Sequence, residues 1–233
     1  MVNYQYTYLI GNFLGLIVWV FLFLKRKDTR KEMLVISILF GIAGLLTQPI
    51  YLLDWWRPLT ITGTAVGIED FLFGFVIGGV AAVVYEYLFR KRIKIKKVKK
   101  IIERKRDINL LFLFFLLAGI FILSVFILRI NTLIASILGF GIPTLIIYYR
   151  RKDLIKDSIL SGILTLFIAI VIYNILNLIT PGFFDEFWFF QNVGRVILMG
   201  VPLEEYIWYF LAGSFIGPLY EYWKEGELIN MRR

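Results

Sequence analysis

Residues 66–73, Val-Gly-Ile-Glu-Asp-Phe-Leu-Phe, and residues 201–208, Val-Pro-Leu-Glu-Glu-Tyr-Ile-Trp, decide the fold, because each puts two adjacent carboxylates near the start of a long apolar segment. An ionised Asp in the middle of a transmembrane helix costs roughly 2.5 kcal/mol or more, so acidic residues at such positions are taken as functional by default. The two stretches lie 135 residues apart. The recurrence of a costly pair at matched positions indicates a duplicated unit with a shared role.

The composition predicts an integral protein of the cell membrane, in a bacterium or an archaeon. Of the 233 residues, 59% are hydrophobic, and the mean hydropathy is +0.77. Soluble proteins are about half apolar. The chain has no Cys and no His, which excludes disulfides, thiolate catalysis, HExxH zinc sites and Ser-His-Asp triads. Any chemistry must come from Asp, Glu, Tyr, Lys, Arg and the backbone, and we expect no cofactor and no metal.

Seven apolar segments approach the ~20 residues that span a bilayer. They are placed at 7–24, 34–53, 65–89, 109–128, 133–149, 159–179 and 195–223. With these spans, 23 of the 26 Lys and Arg residues fall on one side of the membrane, and only Arg57, Arg129 and Arg195 fall on the other. This asymmetry predicts an all-α protein of seven transmembrane helices with the N-terminus outside and the C-terminus in the cytoplasm. The net charge of +9 is therefore attributed to cytoplasmic loops and not to binding of nucleic acid.

The two acidic stretches belong to a longer internal repeat. Residues 66–87 align with 201–222 without a gap, and seven of the 22 positions are identical. Upstream the match continues at an offset of 132, which pairs Trp56 with Trp188. Two three-helix units that run the same way across the membrane are related by a pseudo-twofold axis along the membrane normal. We therefore predict a 3+1+3 arrangement.

One membrane domain, residues 1–233, follows from this repeat. It comprises a first three-helix repeat at 1–89, a basic cytoplasmic loop and linking helix at 90–131, and a second three-helix repeat at 132–233. The basic run at 90–106 is interpreted as a cytoplasmic linker, with contact to anionic lipid headgroups as an addition.

Glu69, Asp70, Glu204 and Glu205 are the strongest candidates for catalysis. Adjacent helix residues point about 100° apart, so one member of each pair can face a central cavity while the other reaches a neighbouring helix. A carboxylic acid that keeps its proton, next to a carboxylate that accepts one, suits general acid–base catalysis on an apolar substrate. The alternative is a structural hydrogen-bond cluster that ties helices together.

Aromatic residues gather at the same outer end of the predicted bundle. The candidates for substrate binding are Trp208, Phe73, Tyr206, Trp188 and Trp56. Such residues form the aromatic belt of a membrane interface, and inward-facing rings also stabilise a cation through their π faces. Both interpretations stay open at this stage. Glu86 and Glu221, about 25 Å further along their helices, are expected to be interfacial anchors near the cytoplasmic surface.

The stretch Val201–Tyr206, with Trp188 upstream, resembles the Pro-x-Glu-Glu motif of the membrane-embedded lycopene cyclases, of the heterodimeric bacterial type and the fused archaeal and fungal type. The resemblance covers the whole chain, which looks like a divergent member because its first motif reads Gly67-Ile68-Glu69-Asp70, without Pro. It implies an intramolecular lyase or isomerase that closes the linear ends of lycopene into rings with no net redox change. It also implies that Glu204 and Glu205 are the essential acids of the second motif, and Glu69 and Asp70 those of the first.

The partners expected from this resemblance are an apolar isoprenoid or carotenoid substrate and the lipid bilayer, with a homo-oligomer left open. Two alternatives remain. One is a non-catalytic membrane protein that binds a carotenoid or lipid, and the other is a proton-coupled transporter. Against the transporter, segments two and six carry almost no polar residues. A retinal protein is disfavoured because segment seven has no Lys before Lys224.

Overall fold

The structure is a computed structural model that describes residues 4–95 and 100–231. Among these residues, six helical segments are long and apolar enough to cross a membrane: Thr7–Lys25, Arg30–Tyr51, Ile68–Leu88, Lys105–Ile127, Thr132–Arg150 and Lys152–Ile179. The prediction of an all-helical chain with membrane-type helices is confirmed at this level. Part of the basic run predicted to be a linker, residues 96–99, lies outside the described residues.

The helices, in chain order, are α1 (Thr7–Lys25), α2 (Arg30–Tyr51), α3 (Ile68–Leu88), α4 (Lys100–Ile122, continued by a π-helical turn at Leu123–Ile127), α5 (Thr132–Arg150), α6 (Ile155–Ile179, preceded by a 3-10 turn at Lys152–Leu154), α7 (Phe183–Phe187), α8 (Leu203–Ile216) and α9 (Leu219–Lys224). The strands are β1 (Lys91–Lys94), β2 (Ile197–Leu198), β3 (Val201–Pro202) and β4 (Glu227–Asn230). β1 pairs antiparallel with β4, and β2 with β3.

The seventh apolar segment, placed at 195–223, contains a hairpin and two helices in place of one continuous helix. Met199 and Gly200 have positive φ angles of 48° and 78°, so the chain turns there and forms the β2–β3 hairpin. Helix α8 starts only after Pro202, has 14 residues, and is separated from α9 at Gly217 and Pro218. Proline lacks a backbone N–H and clashes with the preceding turn, which accounts for the break.

Helix α3 lies at the centre of the bundle and packs against α1, α2, α6 and α8. Two thirds of its apolar window, 67%, is buried, more than in any of the other five membrane-type helices. Its contact with α2 is very close, because the Cα of Gly74 lies against the backbone of Phe40 and Gly41. Small residues allow this approach between membrane helices, and it places the start of α3, with Glu69 and Asp70, in the interior.

Two arginines join the loops at one end of the bundle. Arg26, after α1, donates to the carboxylate of Asp28 at 2.8–2.9 Å and to the backbone oxygens of Glu86 and Lys91, both at 2.5 Å. Arg151, after α5, makes the same set of bonds to Asp153, Glu221 and Gly226. Arg26 therefore anchors the end of α3, and Arg151 anchors the end of α9, the helix that follows α8. Each arginine also contacts the chain that follows its helix.

Candidate functional site

An apolar cavity lies between α2, α3, α4, α5 and α8, and it encloses about 1020 Å³ of space that is partly open to the surroundings. Twelve of its 25 described lining residues are aromatic, namely Tyr8, Phe40, Tyr51, Trp55, Trp56, Phe73, Phe114, Phe121, Phe140, Tyr173, Trp188 and Trp208. Asp70 and Glu205 are the carboxylates among the described residues that line it. The cavity thus combines an apolar volume with two acids.

Glu205 lies in the first turn of α8 and is 5% exposed. Its Oε1 accepts hydrogen bonds from the indole N–H groups of Trp55 at 2.7 Å and Trp188 at 2.9 Å. Its Oε2 accepts from the hydroxyl of Tyr173 at 2.8 Å, and Tyr209 donates in turn to Tyr173 at 3.2 Å. Both oxygens are therefore held in fixed positions by donors from three different parts of the chain.

Asp70 occupies the aligned position in the first turn of α3 and is 1% exposed. Its Oδ2 accepts from the backbone N–H of Gly67 at 2.8 Å, which caps the helix, because the first N–H groups of a helix have no partner within it. Its Oδ1 accepts from the hydroxyl of Tyr8 at 2.9 Å. The second acid of each motif thus reaches the same cavity and accepts a hydrogen bond from a buried tyrosine.

The first acid of each motif lies away from this cavity wall, although both side chains are buried, with 1% exposure for Glu69 and 0% for Glu204. Glu69 Oε1 accepts from the backbone N–H of Ile61 at 2.6 Å and so ties the α2–α3 loop to α3. Neither oxygen of Glu204 has a hydrogen-bond partner among the described residues. The 100° step between adjacent residues therefore separates each pair into an inward member and an outward member.

Four of the five aromatic residues expected to bind substrate line the cavity: Trp208, Phe73, Trp188 and Trp56. Trp56 and Trp188 pack with ring centroids 5.0 Å apart, and Phe73 lies 5.7 Å from Trp208. The structure does not bring Tyr206 to the cavity wall. The Tyr206 hydroxyl donates instead to the backbone oxygen of Leu198 in the β2–β3 hairpin at 2.9 Å.

Sequence reasoning missed the donors that hold the two acids: Tyr8 in α1, Tyr173 in α6, and Trp55 in the α2–α3 loop. A signal for the tyrosines exists, because a buried phenolic hydroxyl usually finds a hydrogen-bond partner. Both tyrosines lie in apolar segments whose other residues offer few partners. Which acid each one would reach depends on how distant helices pack.

A second cavity lies between α1, α3, α6 and α8, with about 720 Å³ of empty space. It shares five aromatic wall residues with the first, namely Tyr8, Trp56, Phe73, Tyr173 and Trp188. No carboxylate is among the described residues that line it. The two cavities therefore share a wall of five aromatic rings, and Asp70 and Glu205 line the first cavity.

The cavity itself offers little to a metal ion, because Asp70 and Glu205 are already engaged by nitrogen and hydroxyl donors. Within the described part of the chain, the carboxylates that come close enough to share an ion lie elsewhere, at Glu32, Glu86 and Glu221. The arrangement in the cavity suits proton transfer in a site with little water and with aromatic faces on several sides.

The comparisons with known proteins match the chain to a protein family. The family model described as lycopene cyclase matches two regions of the chain, residues 5–88 and 131–223. No curated protein and no solved structure matches the chain.

Proposed function

The chain belongs to the lycopene cyclase family, and from this premise we propose that it closes the linear ends of a lycopene-type carotenoid into rings by acid–base catalysis without a cofactor. The observation that carries the proposal is the meeting of Asp70 and Glu205, the aligned second acids of the two motifs, at one aromatic cavity. The apolar lining matches the polarity of a polyene, and the two acids supply the proton chemistry.

The reaction needs one proton in and one proton out for each ring. A proton adds to the terminal alkene, a neighbouring double bond attacks the resulting cation, and the ring closes. A proton then leaves an adjacent carbon, so the product is an isomer of the substrate. We assign Asp70 as the donor and Glu205 as the acceptor, because the three donors around Glu205 match a carboxylate that stays an anion while the cation exists.

The aromatic wall stabilises the cation. A cation over an aromatic face gains about 0.5–2 kcal/mol, with Trp the best partner. Trp56, Trp188 and Trp208 line the same cavity as the two acids, and Phe73 packs against Trp56 and Trp208. Glu69 and Glu204 are proposed to support the site as buried neighbours of the cavity acids, because each lies in the same first turn as Asp70 or Glu205.

We also propose that the bundle consists of two parallel three-helix units, 1–89 and 132–233, in the 3+1+3 arrangement with α8 and α9 as the seventh span. Aligned residues that touch each other support the twofold axis. Trp56 and Trp188 form a backbone bridge, and Ile93 faces Leu228, 135 residues later, in the β1–β4 pair. The matching bond sets of Arg26 and Arg151 support the same axis.

The proposal predicts that expression of the chain in cells that accumulate lycopene yields ring-bearing products with the mass of lycopene. Product separation by chromatography, with absorption and mass spectra, measures this outcome. Unchanged lycopene in cells where the protein inserts normally would contradict the proposal and favour a carotenoid-binding protein.

A second readout tests the acid–base mechanism. The purified protein, given lycopene in deuterated water without nicotinamide or flavin, is expected to add one deuterium for each ring formed, because the incoming proton comes from an exchangeable carboxyl group. Mass spectrometry of the product measures the label. Rings without deuterium, or rings that form only with an added redox cofactor, would contradict the mechanism.

A further inference from the structure

A second group of acids lies at the far end of the bundle, where the arginine-bearing turns after α1 and α5 are found. Glu32 starts α2, Glu86 ends α3 and Glu221 lies in α9, and their exposures are 2%, 0% and 0%. One carboxylate oxygen of each lies within 4.8 Å of the others. The expectation that Glu86 and Glu221 are interfacial anchors is wrong, because both are fully enclosed by protein.

These carboxylates are buried without hydrogen-bond donors among the described residues. Both oxygens of Glu32, of Glu86 and of Glu221 are buried and lack a hydrogen-bond partner among the described residues. Oδ2 of Asp157, in the first turn of α6, is in the same state, while its Oδ1 accepts from Ser161 at 3.1 Å. Buried carboxylates are normally paired, hydrogen-bonded or bound to a metal. These carboxylates are therefore candidates for binding a cation.

Two arginines at this end of the bundle, Arg26 and Arg151, are already bonded to other groups. The guanidinium of Arg26 is bonded to Asp28 and to backbone oxygens, and Arg151 is bonded in the same way to Asp153 and to backbone oxygens. The Arg26 guanidinium also holds the pKa of the Asp28 carboxyl below its ordinary value, so this pair stays charged at neutral pH. These arginines donate to the backbone oxygens of Glu86 and Glu221, and among the described residues neither arginine forms a hydrogen bond or ion pair with the side chain of Glu86 or Glu221.

We propose that Glu32, Glu86 and Glu221 bind one hard divalent cation, with Asp157 beside it. All the ligand atoms are carboxylate oxygens, which Ca²⁺ and Mg²⁺ prefer. Ligands on opposite sides of a Ca²⁺ ion are about 4.6–5.2 Å apart, and those of Mg²⁺ are about 4.0–4.2 Å apart. The 4.8 Å limit on the oxygen separations agrees with either ion.

The position of this site gives it a structural role. The ion would join α2, α3 and α9, so elements from both ends of the chain would meet at one site. Helix α9 follows the break at Pro218 and has only six residues. The cation is therefore expected to hold α9 in the bundle, without any part in ring formation.

The test uses the purified full-length protein in detergent, stripped with a chelator and then dialysed against Mg²⁺, Ca²⁺ or Mn²⁺. We expect about one ion per chain and a rise in the unfolding temperature of at least about 5 °C at saturation. In chelator, Glu86→Gln and Glu221→Gln are expected to unfold at a higher temperature than the unmodified protein, because each removes an uncompensated buried charge. With the ion present, both variants are expected to lose this advantage and to bind no ion.

Asp107→Asn is the matched control. Asp107 accepts from Trp223 at the same end but is exposed, and this variant should bind the ion and respond to it like the unmodified protein. Absence of ion binding and of any ion-dependent shift in the unmodified protein overturns the proposal, even where a variant fails to fold. Binding that persists in both Gln variants also overturns it. Neither readout involves carotenoid conversion, so the result is separate from that of the cyclase proposal.

Discussion

Replacing Glu205 with Gln is expected to reduce ring formation by at least about 10²-fold, while the protein still inserts and folds. General acid–base groups contribute about 10²–10⁴-fold. Gln has the size of Glu and its oxygen can still accept from the indoles of Trp55 and Trp188. It cannot take up the proton that leaves the ring, and it puts no negative charge next to the cation. The yield of cyclic carotenoid per amount of inserted protein, in lycopene-accumulating cells, measures the effect.

Glu186→Gln is the control for this variant. Glu186 lies in the short helix α7 and is exposed, so the same chemical change outside the cavity is expected to leave the yield unchanged. Asp70→Asn should match Glu205→Gln, because Asp70 reaches the same cavity. Cyclic product from Glu205→Gln at the unmodified level would place the chemistry elsewhere in the molecule and would contradict the assigned roles.

Much of the cavity could be predicted from the repeated acids. The alignment of Asp70 with Glu205 and the 100° step along a helix together predicted that one acid of each pair faces inward, and the structure places the second acid of each pair at the cavity. Of the seven apolar segments predicted, the first six correspond to the six membrane-type helices among the described residues. The helix spans and the position of the acids within them depend on local sequence, from which hydropathy and helix geometry predict them directly.

The features that sequence reasoning missed depend on contacts between distant parts of the chain. Tyr206 and Trp208 are two residues apart, yet Trp208 lines the cavity and Tyr206 contacts the β2–β3 hairpin. The seventh span was placed to begin at residue 195 because residues 196–199 are apolar, whereas positive φ angles at Met199 and Gly200 turn the chain. Burial of Glu86 requires the turn after α1 to pack against the end of α3, and no pattern in the sequence around Glu86 predicts that contact.

The largest effect on folding is expected at Gly74. A Cβ atom at this position would overlap the backbone oxygen of Phe40 and crowd the Cα of Gly41 in α2. Backbone atoms cannot rotate away as the end of a side chain can, so Gly74→Val must push α2 and α3 apart. Overpacking of a well-packed core costs about 1–3 kcal/mol, and we expect the upper end of this range, with loss of most of the monodisperse protein on size-exclusion chromatography.

Gly141→Val and Gly119→Val separate this contact from the general effect of Val in a helix. All three glycines lie in membrane-type helices, and a Cβ at Gly119 or Gly141 would meet no atom within 4 Å. The change in helix propensity is the same at each position, so it cancels in the comparison. Because Gly74 also lines the cavity, loss of activity alone would not identify the cause, and the unfolding temperature in detergent is the deciding measurement. Equal unfolding temperatures for Gly74→Val and Gly141→Val would mean that α2 and α3 do not approach each other closely at Gly74, and the start of α3 would then lack the packing that brings Asp70 to the cavity.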